Sequence, residues 1–398
     1  MESERSRLTN EPRSGGDGEI FFDFSRVLNR GRGVDMRSHR LLRFLLPAFI
    51  SAVLVTGGFS CNFLTGPHKS NGPDTTSSNF TWTIDTIGAS GSYLYDVSIV
   101  DDSLAYAVGL IMPSDSLGRS NTIYWDNAAV WNGVKWTPFQ VPYYYNGQKT
   151  FTTITFTFAR NPNHVWLGFV HWDGNQYSQH SPGPWFNSQA SKMWESPDGS
   201  QLYVVGYNGL IAYSPDHGST WQQVQTGTTL PFQDIWGATD PKTGQEQILA
   251  IASDKFGLGG QYLVELNGNI ASQLNDTVSA QERLSGIWFE SNQRYFLAGS
   301  GIFEKDSLPS SEPWKGPFIP LDWYTFAIRG QGANDVIAAG ESASISHFNG
   351  ERWIGFSGLI NPVDRLQSVA FKDNLVIAVG NRHESGVNYY GVVYMGRR

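Results

Sequence analysis

The sequence lacks most of the features that mark small secreted, helical or nucleic-acid-binding proteins. Its 398 residues include one cysteine, Cys61, so an intrachain disulfide is excluded. Charged residues make up 16% of the chain, and no long segment after residue 62 repeats its apolar residues with a helical period. The net charge of -8 argues against a nucleic-acid partner, because such proteins present a basic face. The 8 histidines show no ligand spacing, so we expect neither a metal site nor a cofactor.

Glycine and aromatic residues are plentiful instead. There are 43 glycines, and aromatic residues make up 14% of the chain. This composition favours an all-β fold with many turns. A chain of this length can bury a large core, in one domain built of repeats or in two smaller domains.

The first 60 residues have the layout of an export signal. Residues 1–35 are polar and arginine-rich, and we expect them to be disordered or to come from an upstream start, with Met36 as the true first residue. Residues 36–60 join a basic start to an apolar run and end in small residues, as secretory signal peptides do. The apolar run is shorter than the roughly 20 residues that a spanning helix needs. The alternative is a cytoplasmic extension on an uncleaved anchor.

Cys61 stands where a bacterial lipoprotein signal places its lipidated cysteine. Ser60 fits the small residue before it, whereas Gly58 and Phe59 depart from the usual pattern. Residues 61–78 are rich in Asn, Gly, Pro, Ser and Thr, and they predict a tether with too little apolar surface to order itself. We therefore predict an exported protein, lipid-anchored in the cell envelope and facing the periplasm or the cell surface. The alternative is an ordinary cysteine.

Residues 202–227 predict three short strands joined by two tight turns. The first turn is Asn208-Gly209, a strong hairpin signal between apolar runs. The second turn matches the pattern S-x-D-x-G-x-T-W at every fixed position: Ser214, Asp216, Gly218, Thr220 and Trp221. In such a turn the Asp side chain accepts backbone N–H groups ahead of it, and Gly supplies an unusual backbone angle. We predict a structural role for these residues rather than a catalytic or calcium-binding one.

This turn resembles the Asp box of BNR-type β-propellers, such as sialidases, sortilin-type receptors and photosystem II assembly factor-like proteins. The resemblance covers about residues 79–398 and is complete only in the repeat that contains Asp216. In those families the box lies on the outer hairpin of a blade and is structural. The resemblance therefore implies a propeller in which the five residues support a blade.

A strand that ends in a small residue recurs along the chain and predicts seven repeats. The strands end at Gly109, Gly168, Gly206, Ala252, Gly299, Gly340 and Gly380. Their spacing is near the 40–50 residues of a four-stranded propeller blade. We therefore predict a seven-bladed β-propeller with four-stranded antiparallel blades over residues 79–398. The last repeat stops after three strands, and we expect the isolated strand at residues 80–87 to complete it and close the ring.

The mouth of the central channel is the predicted binding site. Aligning the first strands of the repeats places seven hydrogen-bonding residues in one column: Tyr95, Thr152, Lys192, Gln233, Ser285, Thr325 and Gln367. A mixed polar ring suits a peptide or a glycan, and it also suits a water-filled channel. Trp172, Trp185 and Trp323 lie outside the repeated columns and are candidates for an exposed role.

The sequence identifies no catalytic residue. A carbohydrate-active enzyme needs two carboxyl groups that face one bond. Asp96, Glu195 and Asp234 lie in or near first strands, and we expect them to cap turns or to be solvated. The predicted function is a monomeric binding or scaffold module for a protein or glycan ligand. The alternative is a glycoside hydrolase or glycosyl transferase that uses the propeller mouth.

Overall fold

Short strands joined by turns account for nearly all of the chain that can be described. The computed structural model describes residues 75–114, 124–150, 152–186, 189–254, 260–275, 278, 283–308, 310–384 and 389–398. The predicted signal peptide, Cys61 and most of the predicted tether lie outside the described residues. Within those ranges no helix is long and apolar enough to cross a membrane.

The strands follow one another along the chain with few interruptions. They begin with β1 (Thr81–Ile87), β2 (Tyr93–Asp101), β3 (Leu104–Ile111), β4 (Asp126–Trp131), β5 (Trp136–Phe139), β6 (Tyr143–Tyr145) and β7 (Gln148–Thr150). Next come β8 (Thr157–Asn161), β9 (His164–Leu167), β10 (Val170–Trp172), β11 (Tyr177–Gln179), β12 (Ala190–Glu195), β13 (Leu202–Gly206), β14 (Ile211–Ser214) and β15 (Gln222–Gln223). Then come β16 (Phe232–Thr239), β17 (Glu246–Ser253), β18 (Gln261–Asn267), β19 (Ile270–Leu274), β20 (Leu284–Glu290), β21 (Arg294–Gly299), β22 (Gly301–Lys305) and β23 (Lys315–Phe318). The last are β24 (Thr325–Gly332), β25 (Asp335–Gly340), β26 (Ile345–Phe348), β27 (Trp353–Gly355), β28 (Asp364–Lys372), β29 (Leu375–His383) and β30 (Tyr389–Arg397).

These strands form seven four-stranded antiparallel sheets, the blades of a β-propeller, as predicted. Blades 1 to 6 use consecutive strands: β2–β5, β8–β11, β12–β15, β16–β19, β20–β23 and β24–β27. The first strand of each blade is the innermost, and each inner strand contacts the inner strand of the next blade around the channel. The small hairpin of β6 and β7 lies in the connection from blade 1 to blade 2.

Blade 7 joins the two ends of the described chain. It contains β28, β29 and β30, and β1 pairs antiparallel with β30 from Thr81–Arg397 to Ile87–Gly391. The prediction that the N-terminal strand closes the ring is therefore confirmed. Since β1 takes the outer position, the last three strands do not leave an open edge.

Asp335 in β25 holds both chain ends beside blade 6. Its carboxylate accepts hydrogen bonds from His347 Nε2 at 2.7 Å and Arg398 NH1 at 2.9 Å, and Thr76 Oγ1 lies at 3.3 Å. Burial alone would raise the pKa of Asp335, but hydrogen bonds from His347, Arg398 and Gln331 outweigh burial and lower the pKa to about 2. The chain that leads into β1 is thus attached to the ring before the strand begins.

In most blades the second strand ends in a glycine that marks a close approach of two backbones. A Cβ added to Gly109 would lie 1.9 Å from the carbonyl oxygen of Tyr93, and one added to Gly299 would lie 1.8 Å from that of Arg283. Neither distance allows a side chain. The inner strand bulges at this point and moves its backbone toward the second strand. The blade itself therefore requires most of the glycines that revealed the repeats: Gly109, Gly206, Gly299, Gly340 and Gly380.

Alternating strand direction places the connections on two faces. We call the face where the inner strands begin the upper face. It carries the connections between blades and those between second and third strands. We call the opposite face the lower face. It carries the turns between first and second strands and between third and fourth strands.

Candidate functional site

The channel mouth is shaped by bulges near the start of the inner strands. In the described part of the chain, six inner strands skip one residue in their pairing: Tyr95, Ser191, Gln233, Ser285, Phe326 and Gln367. Four members of the predicted column, Tyr95, Gln233, Ser285 and Gln367, occupy these bulges. Lys192 and Thr325 lie one residue away, and Thr152 lies before β8. A shift of one residue turns a side chain to the other face of a strand, so the predicted column mixes two environments.

The side chains at the bulges differ in the number of contacts that they make within the fold. Gln233 Nε2 donates a hydrogen bond to the Ser253 carbonyl at 3.0 Å, and Ser285 Oγ donates one to the Thr325 carbonyl at 2.6 Å. Tyr95 stacks on Tyr93 with ring centroids 6.3 Å apart. These contacts stabilise the mouth. The side-chain amide of Gln367 differs, because it makes no hydrogen bond within the described residues.

Lys192 is directed into the channel, where it forms an ion pair. Its ammonium group contacts Asp96 Oδ1 and donates a hydrogen bond to Ser368 Oγ at 2.9 Å. Ser368 Oγ in turn donates to Asp96 Oδ1 at 2.6 Å. These residues come from blades 3, 1 and 7. Because blades 1 and 3 are not neighbours, the pair spans part of the channel.

A second ion pair crosses the channel from blade 6 to blade 4. Arg329 donates from NH1 and NH2 to the two carboxylate oxygens of Asp234, each at 2.7 Å. Burial would lower the pKa of Arg329, but the charge and hydrogen bonds of Asp234, together with the charge of Asp96, raise it. The channel therefore contains two cations and two anions that compensate one another.

Asp96 and Asp234 also link consecutive blades. Thr157 N donates to Asp96 Oδ2, and Ile287 N donates to Asp234 Oδ2, both at 3.0 Å. The two acids are 3% and 2% exposed. The expectation that they cap turns or are solvated is therefore wrong, because a buried carboxylate needs the cation and amide partners found here.

The sequence did contain a clue to this arrangement. In six inner strands the residue after the bulge precedes a buried apolar residue, as in Asp96-Val97 and Asp234-Ile235. An alignment on that apolar residue places Asp96, Lys192, Asp234 and Ser368 in one column. The alignment predicted from the sequence did not use this apolar residue, so it placed Lys192 in a different column from Asp96 and Ser368.

Glu195, the third acid, lies at the lower end of β12. It accepts hydrogen bonds from Arg160 NH2 and from His164 Nε2, each at 2.7 Å, and is 3% exposed. Burial alone would raise the pKa of Glu195, but hydrogen bonds from His164 and Arg160 lower it. This acid is neither solvated nor free, so the expectation for it was also wrong.

Histidines gather beside Glu195, although their spacing in the sequence did not indicate a cluster. His171 Nε2 lies 3.2 Å from His164 Nδ1, and the rings of His171 and His180 are 6.3 Å apart. Burial, with the nearby His164 and His180, lowers the pKa of His171 to about 4. Within the described residues, no group of His, Cys, Asp and Glu has the arrangement of a metal site.

The turn from Ser214 to Trp221 joins β14 to β15 on the lower face. Thr220 donates to the Asp216 carboxylate from its backbone N and from Oγ1, both at 2.7 Å. Ser214 Oγ donates to Asp216 Oδ1 and accepts from Gly218 N, both at 2.9 Å. The hydrogen bonds from Thr220 lower the pKa of Asp216. Trp221 packs against Phe169 of blade 2 at a centroid distance of 6.0 Å.

The three tryptophans proposed for an exposed role differ in their surroundings. Trp172 packs against Tyr177 with ring centroids 4.7 Å apart and donates to the Pro162 carbonyl, and Trp185 packs against Phe186. Trp323 is 42% exposed on the upper face. Trp172 and Trp185 are half-buried, so Trp323 is the best placed of the three to contact another molecule.

Exposed aromatic rings concentrate on the upper face. Seven described aromatic side chains are strongly exposed, and six lie at upper-face positions: Tyr124, Tyr144, Tyr145, Tyr207, Phe318 and Trp323. The seventh, Tyr177, begins β11 at the lower face. Three further rings extend the upper-face set: the exposed His383 stacks on the half-buried Tyr389 at 4.6 Å, and Tyr389 lies 4.7 Å from the half-buried Tyr93.

The β6–β7 hairpin is fixed to the ring by its backbone. Gln179 of blade 2 accepts from Tyr144 N at 2.9 Å and donates to the Tyr144 carbonyl at 3.1 Å. The side chains of Tyr144 and Tyr145 are 52% and 69% exposed. The hairpin therefore presents two phenol rings without using them to hold itself in place.

Comparison with known proteins identifies the fold. No protein-family model matches the chain, and no curated protein sequence matches it. Among solved structures the chain is similar to YCF48 bound to D1 peptide, with 16% identity and a TM-score of 0.57 over 82% of this chain and 100% of the other. It is similar to YCF48 from Cyanidioschyzon merolae, with 13% identity and a TM-score of 0.50 over 79% and 98%. It also resembles the WD40 β-propeller domain of Doa1, with 12% identity and a TM-score of 0.51 over 80% and 97%.

These identities are too low to carry a function from one chain to another. They show a common β-propeller architecture and support the predicted relation to propeller proteins at the level of fold.

Proposed function

We propose that this protein is an exported, membrane-anchored binding module that takes an extended protein segment on its upper face. The observation that carries the proposal is the unequal distribution of exposed aromatic rings between the two faces. Aromatic side chains are enriched at protein interfaces because they bury a large area and lose little conformational entropy. One similar propeller was solved with a peptide bound to it, which supports a peptide or protein as the ligand class.

The charged channel places a limit on where such a segment lies. The ion pairs Lys192–Asp96 and Arg329–Asp234 occupy the channel below the mouth. Separating either pair to admit a chain would leave buried charges unpaired, which typically costs 3–5 kcal/mol. The segment therefore lies across the mouth and the surrounding loops.

A lipid on Cys61 would leave this face accessible. The chain leading to β1 is held on the lower face, where Thr76 N donates to the Asn349 carbonyl at 3.0 Å and Thr76 Oγ1 to that of Asn334 at 2.8 Å. Attachment therefore starts from the face opposite the aromatic rings.

The structural role of the Asp-box residues belongs to the same proposal. In this view Ser214, Asp216, Gly218, Thr220 and Trp221 join blade 3 to blade 2 and do not contact the ligand. The alternative of a carbohydrate-active enzyme has less support, because Asp96, Glu195 and Asp234 are each buried against a cation.

Site-specific photo-crosslinking in the envelope tests the binding face. A photoreactive phenylalanine analogue replaces Tyr145 or Trp323 in the full chain, and the lower-face residue Tyr177 serves as the matched control. We expect a discrete protein adduct from positions 145 and 323 and none from position 177. Adducts from position 177 alone, or from none of the three, would contradict the proposal.

Anchoring is tested separately with Cys61→Ser. In a bacterium that processes lipoproteins, we expect the wild type to lose residues 1–60 and to partition into detergent. The variant should remain uncleaved or become soluble. A variant that is processed and bound to membranes like the wild type would disprove the lipid anchor.

A further inference from the structure

The upper ends of blades 3 and 4 border an open hollow outside the channel mouth. It has a volume of about 670 Å³, within the range of ordinary small-ligand sites. The turn that contains Asn208 and Gly209 and the loop from Thr226 to Leu230 both line the hollow, and they lie against each other. The proposed protein-binding role does not require this hollow.

Internal hydrogen bonds fix this turn and this loop. Thr226 Oγ1 donates to the Gly209 carbonyl at 2.8 Å, and Leu230 N donates to Thr228 Oγ1 at 3.1 Å. A Cβ on Gly209 would lie 1.9 Å from the Thr228 carbonyl oxygen, so only glycine permits this approach. The hollow is therefore formed before any ligand arrives, which reduces the entropy cost of binding.

Several polar groups around the hollow are left unused. Within the described residues, the side chains of Gln223, Gln225, Thr229 and Tyr262 make no hydrogen bond. Gln223, Gln225 and Thr229 are exposed, and Tyr262 is half-buried. They offer two amides, two hydroxyl groups and one aromatic ring in a small space.

The hollow also lacks the features that select other ligand classes. None of the described residues that line it is charged, so an ionic ligand finds no counter-charge. Of its three apolar residues, Leu210 and Val224 are 9% and 1% exposed and only Leu230 is half-buried, so the apolar surface open to a peptide side chain is small. Amides and hydroxyls pair well with a neutral ligand that carries many hydroxyl groups, and an aromatic ring covers the apolar face of a sugar.

We propose that this hollow is a binding site for a neutral oligosaccharide. Gln223 and Gln225 hydrogen-bond sugar hydroxyls from one side, and Tyr262 contacts the sugar from the blade 4 side. This site is separate from the proposed protein-binding surface around Tyr145 and Trp323.

Calorimetric titration of the full chain with defined probes tests the site. The neutral probes are cellohexaose, laminarihexaose, maltohexaose and chitohexaose. The comparison probes are an oligogalacturonate, which is anionic, and a neutral Gly/Ser/Thr peptide. We expect at least one neutral hexasaccharide to bind and both comparison probes to fail.

Variants locate the binding. Gln223→Ala with Gln225→Ala changes two exposed side chains and should weaken sugar binding at least tenfold with an unchanged melting temperature. Tyr262→Phe removes one hydroxyl and tests the blade 4 side. Tyr145→Ala is the control and should bind sugar like the wild type.

Three results would overturn the proposal: no binding of any neutral probe at millimolar concentration, unchanged binding by the double variant, or preferential binding of the peptide or the anionic probe. Sugar binding without crosslinking at positions 145 and 323 would keep this inference and remove the proposed protein-binding function.

Discussion

The two faces of the propeller use their polar and aromatic side chains in different ways. On the lower face, Asp and Asn side chains close turn after turn by accepting backbone N–H groups ahead of them. The residues are Asp101, Asn132, Asn161, Asp173, Asp198, Asp216, Asp240 and Asn349. On the upper face, the rings of Tyr144, Tyr145 and Trp323 are exposed and the amides of Gln223 and Gln225 have no partner among the described residues.

The difference indicates that the lower face contributes mainly to stability and the upper face mainly to binding. Lower-face side chains hold the turns, the Asp-box contact and the chain ends, so changes there should reduce stability. Upper-face side chains have interaction capacity that the fold does not use, so changes there should alter binding and leave stability nearly constant. The predictions below test this contrast in order of decreasing effect on stability.

Deleting residues 79–88 should have the largest effect. The deletion removes β1 and leaves β30 as an open edge, and it also removes Trp82, whose ring contacts Phe356 and lies against Gly396. We expect aggregation or a fall in melting temperature of more than about 10 °C, since each kcal/mol corresponds to about 2–4 °C in a large domain. A deletion of residues 64–73, equal in length, is the control. Equal melting temperatures for the two deletions would mean that β1 does not stabilise the ring.

Gly218→Ala should have the next largest effect. Gly218 has φ +79°, and an added Cβ would lie 2.8 Å from the Trp166 ring. Gly244, also on the lower face, has φ +72° and no atom within 4 Å of its added Cβ. We expect a loss of about 2–4 kcal/mol at Gly218 and about 1 kcal/mol at Gly244, because only the first adds a clash to the backbone strain. Chemical denaturation measures both, and equal losses would show that the Asp-box turn is not tightly packed on blade 2.

Lowering the pH should reduce the free energy of unfolding in two steps. His171 causes the first and Asp335 contributes to the second, and both residues lie outside the upper face. The pKa of His171 is about 4, below its usual 6.5, so the unfolded chain binds the proton first and stability falls as pH drops from 6.5 to 4. The pKa of Asp335 is about 2, below its usual 3.8, so its contribution is present above pH 3.8 and is lost as pH falls toward 2. Melting temperatures measured from pH 8 to 2 check both steps.

His171→Gln separates the two steps. The variant should lose the decline between pH 6.5 and 4 and keep the decline below pH 4. The groups that face His171 are His164, His180, Glu195 and Asp173, and all remain in the variant. A variant with the same decline above pH 4 as the wild type would assign that step to another group.

Tyr145→Ala should have the smallest effect on stability. Its ring is 69% exposed and makes no contact that holds the hairpin, so we expect a change within about 0.5 kcal/mol. Binding of the crosslinked partner should fall sharply. A large loss of stability would place Tyr145 in the fold and weaken the contrast between the faces.

The sequence alone was sufficient for the architecture. Recurrent strands that end in a small residue, usually glycine, predicted seven blades. Gly109 and Gly299 show why glycine recurs, because the bulged backbone of the inner strand leaves no room for a Cβ there. The three-stranded last repeat and the unpaired segment 80–87 predicted the ring closure that β1 and β30 form. Such features are local, because each depends on a turn, a strand period or a single close contact.

Only the tertiary structure decided which side chains meet. A bulge shifts the register by one residue, so Lys192 separates from the predicted mouth column and pairs with Asp96 across the channel. His164 of β9, His171 of β10 and His180, which follows β11, gather beside Glu195 of β12, and no spacing along the chain brings them together. The aromatic rings gather on one face because strand direction alternates around a closed ring. These contacts depend on register and ring closure, which act between residues far apart in the chain, and local sequence pattern carries little information about either.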